Sequence, residues 1–342
     1  MNKINKIILK TLSVIFVIII LYFILRGIGF INIYNTVKKA NILFIILSIL
    51  STLAFFLAWN YKWYVLVKEV KKPKFLGLFP ILLAGSFINT ITPGARVGGE
   101  PLRAYYLSKQ YKKEKSKFFA TTIVDKAINS LAFAAMSAFS ILFVIIFVKI
   151  GVWVRFVLET ALIILSIVII GGLVLKQKIK ITKKQIALVL TKIYYFYLFK
   201  LIRKKFTSYK KFENYMIKKL NNILKTSKKL RTRKIFKKDL SLSFLMWFFN
   251  YLGTFFLFIA LNHKINFIAI IVVVTLSTLL GSISPVPGGV GIIEAIMISL
   301  YLTFGINSGI AATVAVLDRL IYYFYSLLIG GISLFYLNTK YG

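Results

Sequence analysis

The chain holds no cysteine in its 342 residues and one histidine, His263. Without cysteine there are no disulfides and no thiolate metal sites, and nothing follows about redox compartment. The single imidazole lies in the short polar link "NHKIN", a place for a solvated loop residue. Histidine-based catalysis or metal binding therefore has no material to work with, and neither a metal nor a cofactor is expected. Negative charge is scarce as well. Nine acids stand against 46 lysines and arginines, a net charge of +37. A phosphate-binding loop is missing too: the glycine-rich stretch "GARVGGEP" lacks the Gly-Lys-Ser/Thr that an ATP site requires. The N-terminus has the charge order of a secretory leader, with basic Met1–Lys10 before apolar Thr11–Leu25. Its apolar core is too long and no small-x-small cleavage site follows, so an uncleaved first membrane helix is expected.

What is present is grease. Hydrophobic residues make up 59% of the chain and mean hydropathy is +0.82. A soluble domain cannot hide that much apolar surface, so lipid is the solvent. The composition predicts an all-α integral membrane protein. Full spans fall near Ile7–Phe30, Ala40–Leu66, Phe118–Phe147, Val152–Leu175, Leu240–Leu261 and Ser308–Tyr336, six in all. Two more apolar stretches, Phe75–Leu107 and Ile265–Phe304, each carry a Pro-Gly near the middle. Each reads as two half-helices meeting at an unwound point, a re-entrant hairpin.

The positive residues sit mostly between these stretches, which points to anionic headgroups and membrane topology and not to nucleic acid. Lys176–Lys238 holds 22 Lys/Arg and one acid, Glu213, and "KEVKKPK" (68–74) and "KQYKKEKSK" (109–117) are also basic. Positive-inside places these three clusters, and both termini, in the cytoplasm of a multi-pass cell-membrane protein. The first broken stretch then dips in from the cytoplasm and the second from outside. "QIALVLTKIYYFYLFKLI" (Gln185–Ile202) is interrupted by Lys192 and Lys200; an amphipathic helix on the inner leaflet is expected, with a span as the alternative. "WNYKWY" (Trp59–Tyr64) fits an aromatic belt with Lys62 snorkelling to the surface.

The two broken stretches are related. "PGARVGGE" (Pro93–Glu100) and "PGGVGIIE" (Pro287–Glu294) both read Pro-Gly, five residues, Glu. Asp125-Lys126 follows Glu100 after 25 residues, and Asp318-Arg319 follows Glu294 after 24. A Gly-Ser precedes each break, at 85–86 and 281–282, and each half has an aromatic-Asn span, "WNYKW" and "WFFNY". A half is thus a span, a hairpin and a span: residues 40–147 and 240–336. The first helix (7–30) precedes them. The connecting helix 152–175 and the basic segment 176–238 separate them. One extra crossing between the copies flips the second, giving an inverted-topology repeat, the plan of many transporters.

A half-helix that ends inside the membrane leaves backbone N–H groups unpaired and its end positive. Such breaks must line protein or a wet cavity. At Gly98-Gly99 and Gly288-Gly289 the backbone can approach closely, and an anionic headgroup can lie against such a helix start. Arg96 and Arg103 add guanidinium forks that grip phosphate. Glu100, Asp125, Glu294 and Asp318 must face inward and find partners, since a charge at a helix centre costs roughly 2.5–3.5 kcal/mol on insertion scales. Arg96 and Glu100, four apart, can pair locally. Adjacent residues diverge on a helix, so Asp125-Lys126 and Asp318-Arg319 are expected to find partners on other segments, for instance Asp318 with Arg96 or Arg319 with Glu294. Two roles stay open for this set: an ion-pair lattice that only holds the hairpins together, or the handling of substrate or protons.

"NTITPGARVGGEPLRAYYL", "SPVPGGVGIIEA" and the later "LDRLIYY" resemble the flippase-like membrane family, the lysylphosphatidylglycerol synthase transmembrane region, over about Lys6 to Tyr336. The resemblance implies a polytopic inner or plasma membrane protein. Better-understood relatives move a modified phospholipid between leaflets, and others are linked to polyprenyl-phosphate glycolipids. The residues that map onto the family motifs are Pro93, Gly94, Arg96, Gly98, Gly99, Glu100, Arg103, Pro285, Pro287, Gly288, Gly289, Gly291, Glu294, Asp318 and Arg319. No aminoacyl-transferase domain follows Tyr336, so lysine transfer is not implied. The reading that follows is a lipid translocator and not an enzyme. It takes anionic or zwitterionic headgroups into a polar cavity between the halves, with Glu100, Glu294 and Asp318 as gates. The alternatives are a non-transporting partner that holds a lipid-linked intermediate for another enzyme, and, with less support, an intramembrane enzyme.

Overall fold

The computed structural model describes residue 38 and residues 40–92, 98–148, 151–174 and 208–341. The expected helices at Ile7–Phe30 and Gln185–Ile202, and Pro93, Gly94 and Arg96, lie outside the described residues. All regular structure among the described residues is helical: α1 (Ile42–Val67), α2 (Phe75–Ile91), α3 (Gly99–Tyr111), α4 (Lys115–Phe147), α5 (Val152–Val174), α6 (Tyr209–Leu230), α7 (Arg233–Ala260), α8 (Phe267–Ile283), α9 (Ile292–Thr303), α10 (Ser308–Tyr323) and α11 (Gly330–Tyr341). A π-helical turn, Phe324–Ile329, joins α10 to α11. Asparagine side chains start three of the helices, as expected of good N-caps. Asn41 accepts from the Leu43 N–H at 3.0 Å, Asn266 from Ile268 at 2.9 Å and Asn307 from Gly309 at 2.9 Å.

Four of the described helical stretches are long and apolar enough to cross a membrane: Ile42–Val67, Lys115–Phe147, Arg233–Ala260 and Ser308–Tyr341. The helix α7 starts seven residues before the expected Leu240, because it runs on through exposed Lys237 and Lys238. Hydropathy locates the lipid boundary, and a helix with long basic side chains continues past it. The arms of the broken stretches are shorter. At 17 residues each, α2 and α8 reach about 25 Å, short of the roughly 30 Å hydrocarbon core.

Outward faces are greasy: Leu43, Ile146, Phe147, Phe156, Ile167 and Ile332 are all exposed. Polar side chains turn inward, among them Ser48, Asn60, Lys62, Glu100, Arg103, Asp125, Asp239 and Glu294. This is the arrangement lipid imposes, where buried polar groups must pair within the protein. The helices α1 and α7 pack along their length and run antiparallel. The Asn41 N–H donates to the Ala260 carbonyl at one end (2.8 Å), the Ser51 hydroxyl to the Phe249 carbonyl in the middle (2.8 Å), and Lys62 meets Asp239 at the other end. Small residues make the close contact possible: Gly253 faces Ser48 and Thr52. Around this pair, α2 packs on α3 and on α11, while α8 packs on α9 and on α4.

Candidate functional site

The described parts of the two breaks use glycine in different ways. At the second, Pro287–Gly289 forms a 3₁₀ turn. Gly288, Gly289 and Gly291 have φ of 66°, 70° and 79°, a left-handed region that side chains resist. The helix α9 begins directly afterwards, with Glu294 in its first turn. At the first break, Gly99 opens α3 against the carbonyl of Gly85 on α2, so closely that a Cβ on Gly99 would overlap that carbonyl. The Gly99 N–H donates to Asn89 Oδ1 at 2.7 Å. A Cβ on Gly85 would collide with the stem of Arg103, so this glycine also makes room for the arginine. In the second hairpin Gly281, the other glycine of the Gly-Ser pairs, meets Ile293 of α9 in the same manner.

Arg103 reaches from α3 to Asp125 on α4, with both terminal nitrogens 3.1 Å from Oδ2. Its guanidinium lies over the Trp63 ring, 3.8 Å from the centroid, a stacking that a planar cation makes well. Trp59 Nε1 donates to the same carboxylate oxygen at 3.2 Å. The other oxygen of Asp125 is 2.7 Å from Lys62 Nζ, and Lys62 also donates to the Asp125 backbone carbonyl at 3.0 Å. Lys62 is 0% exposed, which overturns the expectation that it snorkels. Two buried carboxylates hold its ammonium inside, because the second, Asp239 Oδ2, lies 3.7 Å away.

Lys126, next in sequence to Asp125, pairs with Glu100 at 3.1 Å. Asp125 and Lys126 thus find partners on other segments, as expected. Asp318 and Arg319 do not follow that rule. Arg319 Nη2 lies 2.6 Å from Asp318 Oδ2, and Nε lies 2.9 Å from the same atom. The long guanidinium arm curls back over one peptide unit and overrides the divergence of neighbouring side chains. Asp318 also accepts from the Thr254 hydroxyl of α7 at 2.6 Å. Arg319 forms no ion pair with Glu294 among the described residues, so that expected pairing is corrected. Glu294 is buried and accepts from the Tyr323 hydroxyl at 3.4 Å.

Several of these groups line a cavity of about 250 Å³. Side chains from α1 to α4 form one side: Phe55, Trp59, Ser86, Asn89, Glu100, Arg103, Asp125, Lys126, Asn129, Ser130 and Phe133. Met246, Trp247 and Asn250 of α7, Thr278 and Ser282 of α8, and Arg319 and Tyr322 of α10 form the other. Of the expected site residues, Glu100, Arg103, Asp125 and Arg319 line this cavity. Asp318 supports Arg319 from behind the wall, and Glu294 is not among the described lining residues. Besides Asp125 Oδ1, which is ion-paired with Lys62, five lining side chains hold a buried polar atom that makes no hydrogen bond among the described residues: Ser86 Oγ, Glu100 Oε2, Arg103 Nε, Asn129 Oδ1 and Trp247 Nε1. Donors and acceptors are mixed in this ring. No group of three or more His, Cys, Asp or Glu able to hold a metal occurs among the described residues.

The residues that sequence reasoning missed are Lys62, Asp239, Asn129 and Trp247. Lys62 carried a usable cue, a lysine inside the last turns of an apolar span. Asp239 carried a fainter one, the single acid at the end of a basic run.

A polytopic helical membrane protein with a charged cavity between its helices is the class that this fold and site define. Its family follows from comparison. The profile of the lysylphosphatidylglycerol synthase TM region matches residues 10–330, and the chain belongs to that family. It is similar to a UPF0104 membrane protein of Pyrococcus horikoshii, 29% identical over 309 residues, covering 88% of this chain and 90% of the relative. Another UPF0104 membrane protein, from Methanocaldococcus jannaschii, is 27% identical and covers 96% of each chain. A third, from Methanothermobacter thermautotrophicus, is 26% identical over 85% of this chain and 84% of the relative.

Proposed function

We propose that the protein is a lipid translocator of the cell membrane, in which a phospholipid or lipid-linked headgroup passes between leaflets through the cavity. The carrying observation is that cavity: about 250 Å³, within a lipid-solvated helical protein, ringed by buried polar atoms of both kinds that make no hydrogen bond among the described residues. The volume lies below the roughly 300–1,000 Å³ of sites that enclose a drug-sized ligand. It suits a headgroup whose tails stay in the bilayer. The lining cations are already matched by acids, Arg103 by Asp125, Lys126 by Glu100 and Arg319 by Asp318. A headgroup carrying both donors and acceptors is therefore the fitting ligand, which favours a zwitterionic over a bare anionic one.

In this reading the cavity lies between two inverted halves, residues 40–147 and 240–336, each a span, a re-entrant hairpin and a span, and both termini face the cytoplasm. Three features support the inversion. The equivalent helices α1 and α7 are antiparallel. Gly85 and Gly281 mark the crossing of the two arms in each hairpin. The packing is reciprocal, with each hairpin's first arm set against the other half's last helix, α2 on α11 and α8 on α4. Rocking of one half against the other would switch access, driven by an ion gradient or by the lipid gradient itself.

The test uses purified full-length protein in liposomes with a headgroup-matched fluorescent lipid and a membrane-impermeant reductant outside. The protein should accelerate bleaching of the inner-leaflet lipid, and Glu100→Gln and Asn129→Ala should slow it while the protein still folds. Normal folding with no lipid movement for any headgroup would overturn the reading in favour of a lipid-holding partner. Conversion of the lipid to a new chemical species would overturn it in favour of an enzyme.

A further inference from the structure

Asp239 is a deeply buried acid: its side chain is 0% exposed, and neither carboxylate oxygen accepts a hydrogen bond among the described residues. Its nearest cation, Lys62 Nζ at 3.7 Å, is held closer by Asp125, at 2.7 Å to the carboxylate and 3.0 Å to the backbone carbonyl. Leaving an ionised carboxylate buried and without donors costs several kcal/mol, and a bound proton removes that cost. The charged groups that face it are Lys62 from α1, Asp125 from α4 and Arg103 from α3. The nearby basic residues of α6, α7 and their link, at 229, 231, 233, 234, 237 and 238, are exposed. An apolar cluster of Leu66, Val124, Ile128 and Leu230, with Ile235, Phe236 and Leu240 against it, flanks the Lys62–Asp125–Asp239 group in sequence.

We propose that Asp239 is a proton-binding site outside the cavity, and that Lys62 relays its occupancy to Asp125 and Arg103 at the cavity wall. With a proton on Asp239, the Lys62 ammonium belongs to Asp125. When the proton returns to water, a second carboxylate competes for the same ammonium. Lys62 is drawn from α4 towards α7, and Asp125 is left to Arg103 and Trp59, which line the cavity while Lys62 and Asp239 do not. The ammonium thus sits at the joint between α1, which carries Lys62, and α7, which carries Asp239. This is a site for a coupling proton, and its existence does not rest on lipid movement.

The test is infrared difference spectroscopy across a pH titration of the full-length protein in nanodiscs, with tryptophan fluorescence read in parallel. The wild type should show a titrating band of a buried carboxylic acid, lost in Asp239→Asn and kept in Glu294→Gln. Where Asp239→Asn does not fold, Asp239→Glu should keep the band at a shifted frequency. Fluorescence should follow the same titration in the wild type, and Lys62→Gln should abolish that response while the band remains. A band unchanged in Asp239→Asn or unshifted in Asp239→Glu, or no band in the wild type, would overturn the site. A fluorescence titration in Lys62→Gln equal to that of the wild type would overturn the relay.

Discussion

Lys62 shows how a single side chain can be read correctly in kind and wrongly in place. A lysine among aromatic residues near a span end fits an interfacial anchor, and the stem is long enough to reach water. What decides its place is a pair of carboxylates 63 and 177 residues further along, and no local pattern records them. Removing one partner from a buried ionic group is far more damaging than the pair's net worth, because the remaining charges are stranded. Lys62→Met should therefore destabilise the protein by about 3–5 kcal/mol, measured by thermal or denaturant unfolding in detergent. Exposed Lys225→Ala should stay within about 0.5 kcal/mol of wild type. Arg103→Lys is also no conservative change, since an ammonium keeps one contact to Asp125 and loses the stacking on Trp63. It should cost about 1–3 kcal/mol in the same assay, and quenching of Trp63 should change with it.

At the scale of elements, the breaks were legible because proline and glycine act on the backbone directly, whatever surrounds them. Both hairpins were expected from Pro-Gly, and the described arms end and restart around those positions. Less legible was how each break is made. The second uses three glycines at positive φ, whereas the described part of the first uses Gly99 for a backbone-on-backbone contact. The π-helical turn at Phe324–Ile329 had no cue, because "FYSLLI" is ordinary helix material. Helix ends also escaped the sequence, as the early start of α7 shows, since apolarity tracks lipid and not hydrogen bonding. Gly99→Ala should separate α2 from α3 and destabilise the protein by about 1–3 kcal/mol. Gly171→Ala, on a helix with open space around the added Cβ, should be neutral or stabilising by up to about 1 kcal/mol. Parallel melting curves of the two variants check both.

For the molecule as a whole, polarity is reversed relative to a soluble protein, with aliphatic and aromatic residues outside and an ion-pair network inside. That much was legible, since a chain with 59% hydrophobic residues turns apolar side chains to lipid and must pair inward any charge that falls within a span. Which charges meet was legible only in part. Glu100, Arg103, Asp125 and Arg319 come together at one cavity, while Glu294 stands apart and Asp318 turns to its own neighbour. The proposed inversion has a direct test, because the sequence offers no cysteine and any introduced one is labelled alone. A cysteine at Lys72 should react with an impermeant maleimide only from the cytoplasmic side, and one at Lys264 only from outside. The central claim, that the cavity between the halves holds a lipid headgroup, is met most directly by native mass spectrometry of the purified protein with its co-purified lipid. Ser130→Trp, which fills the cavity wall, should strip the bound lipid, and Leu43→Trp on the exposed face should retain it. Equal lipid retention by both variants, with both folded, would contradict it.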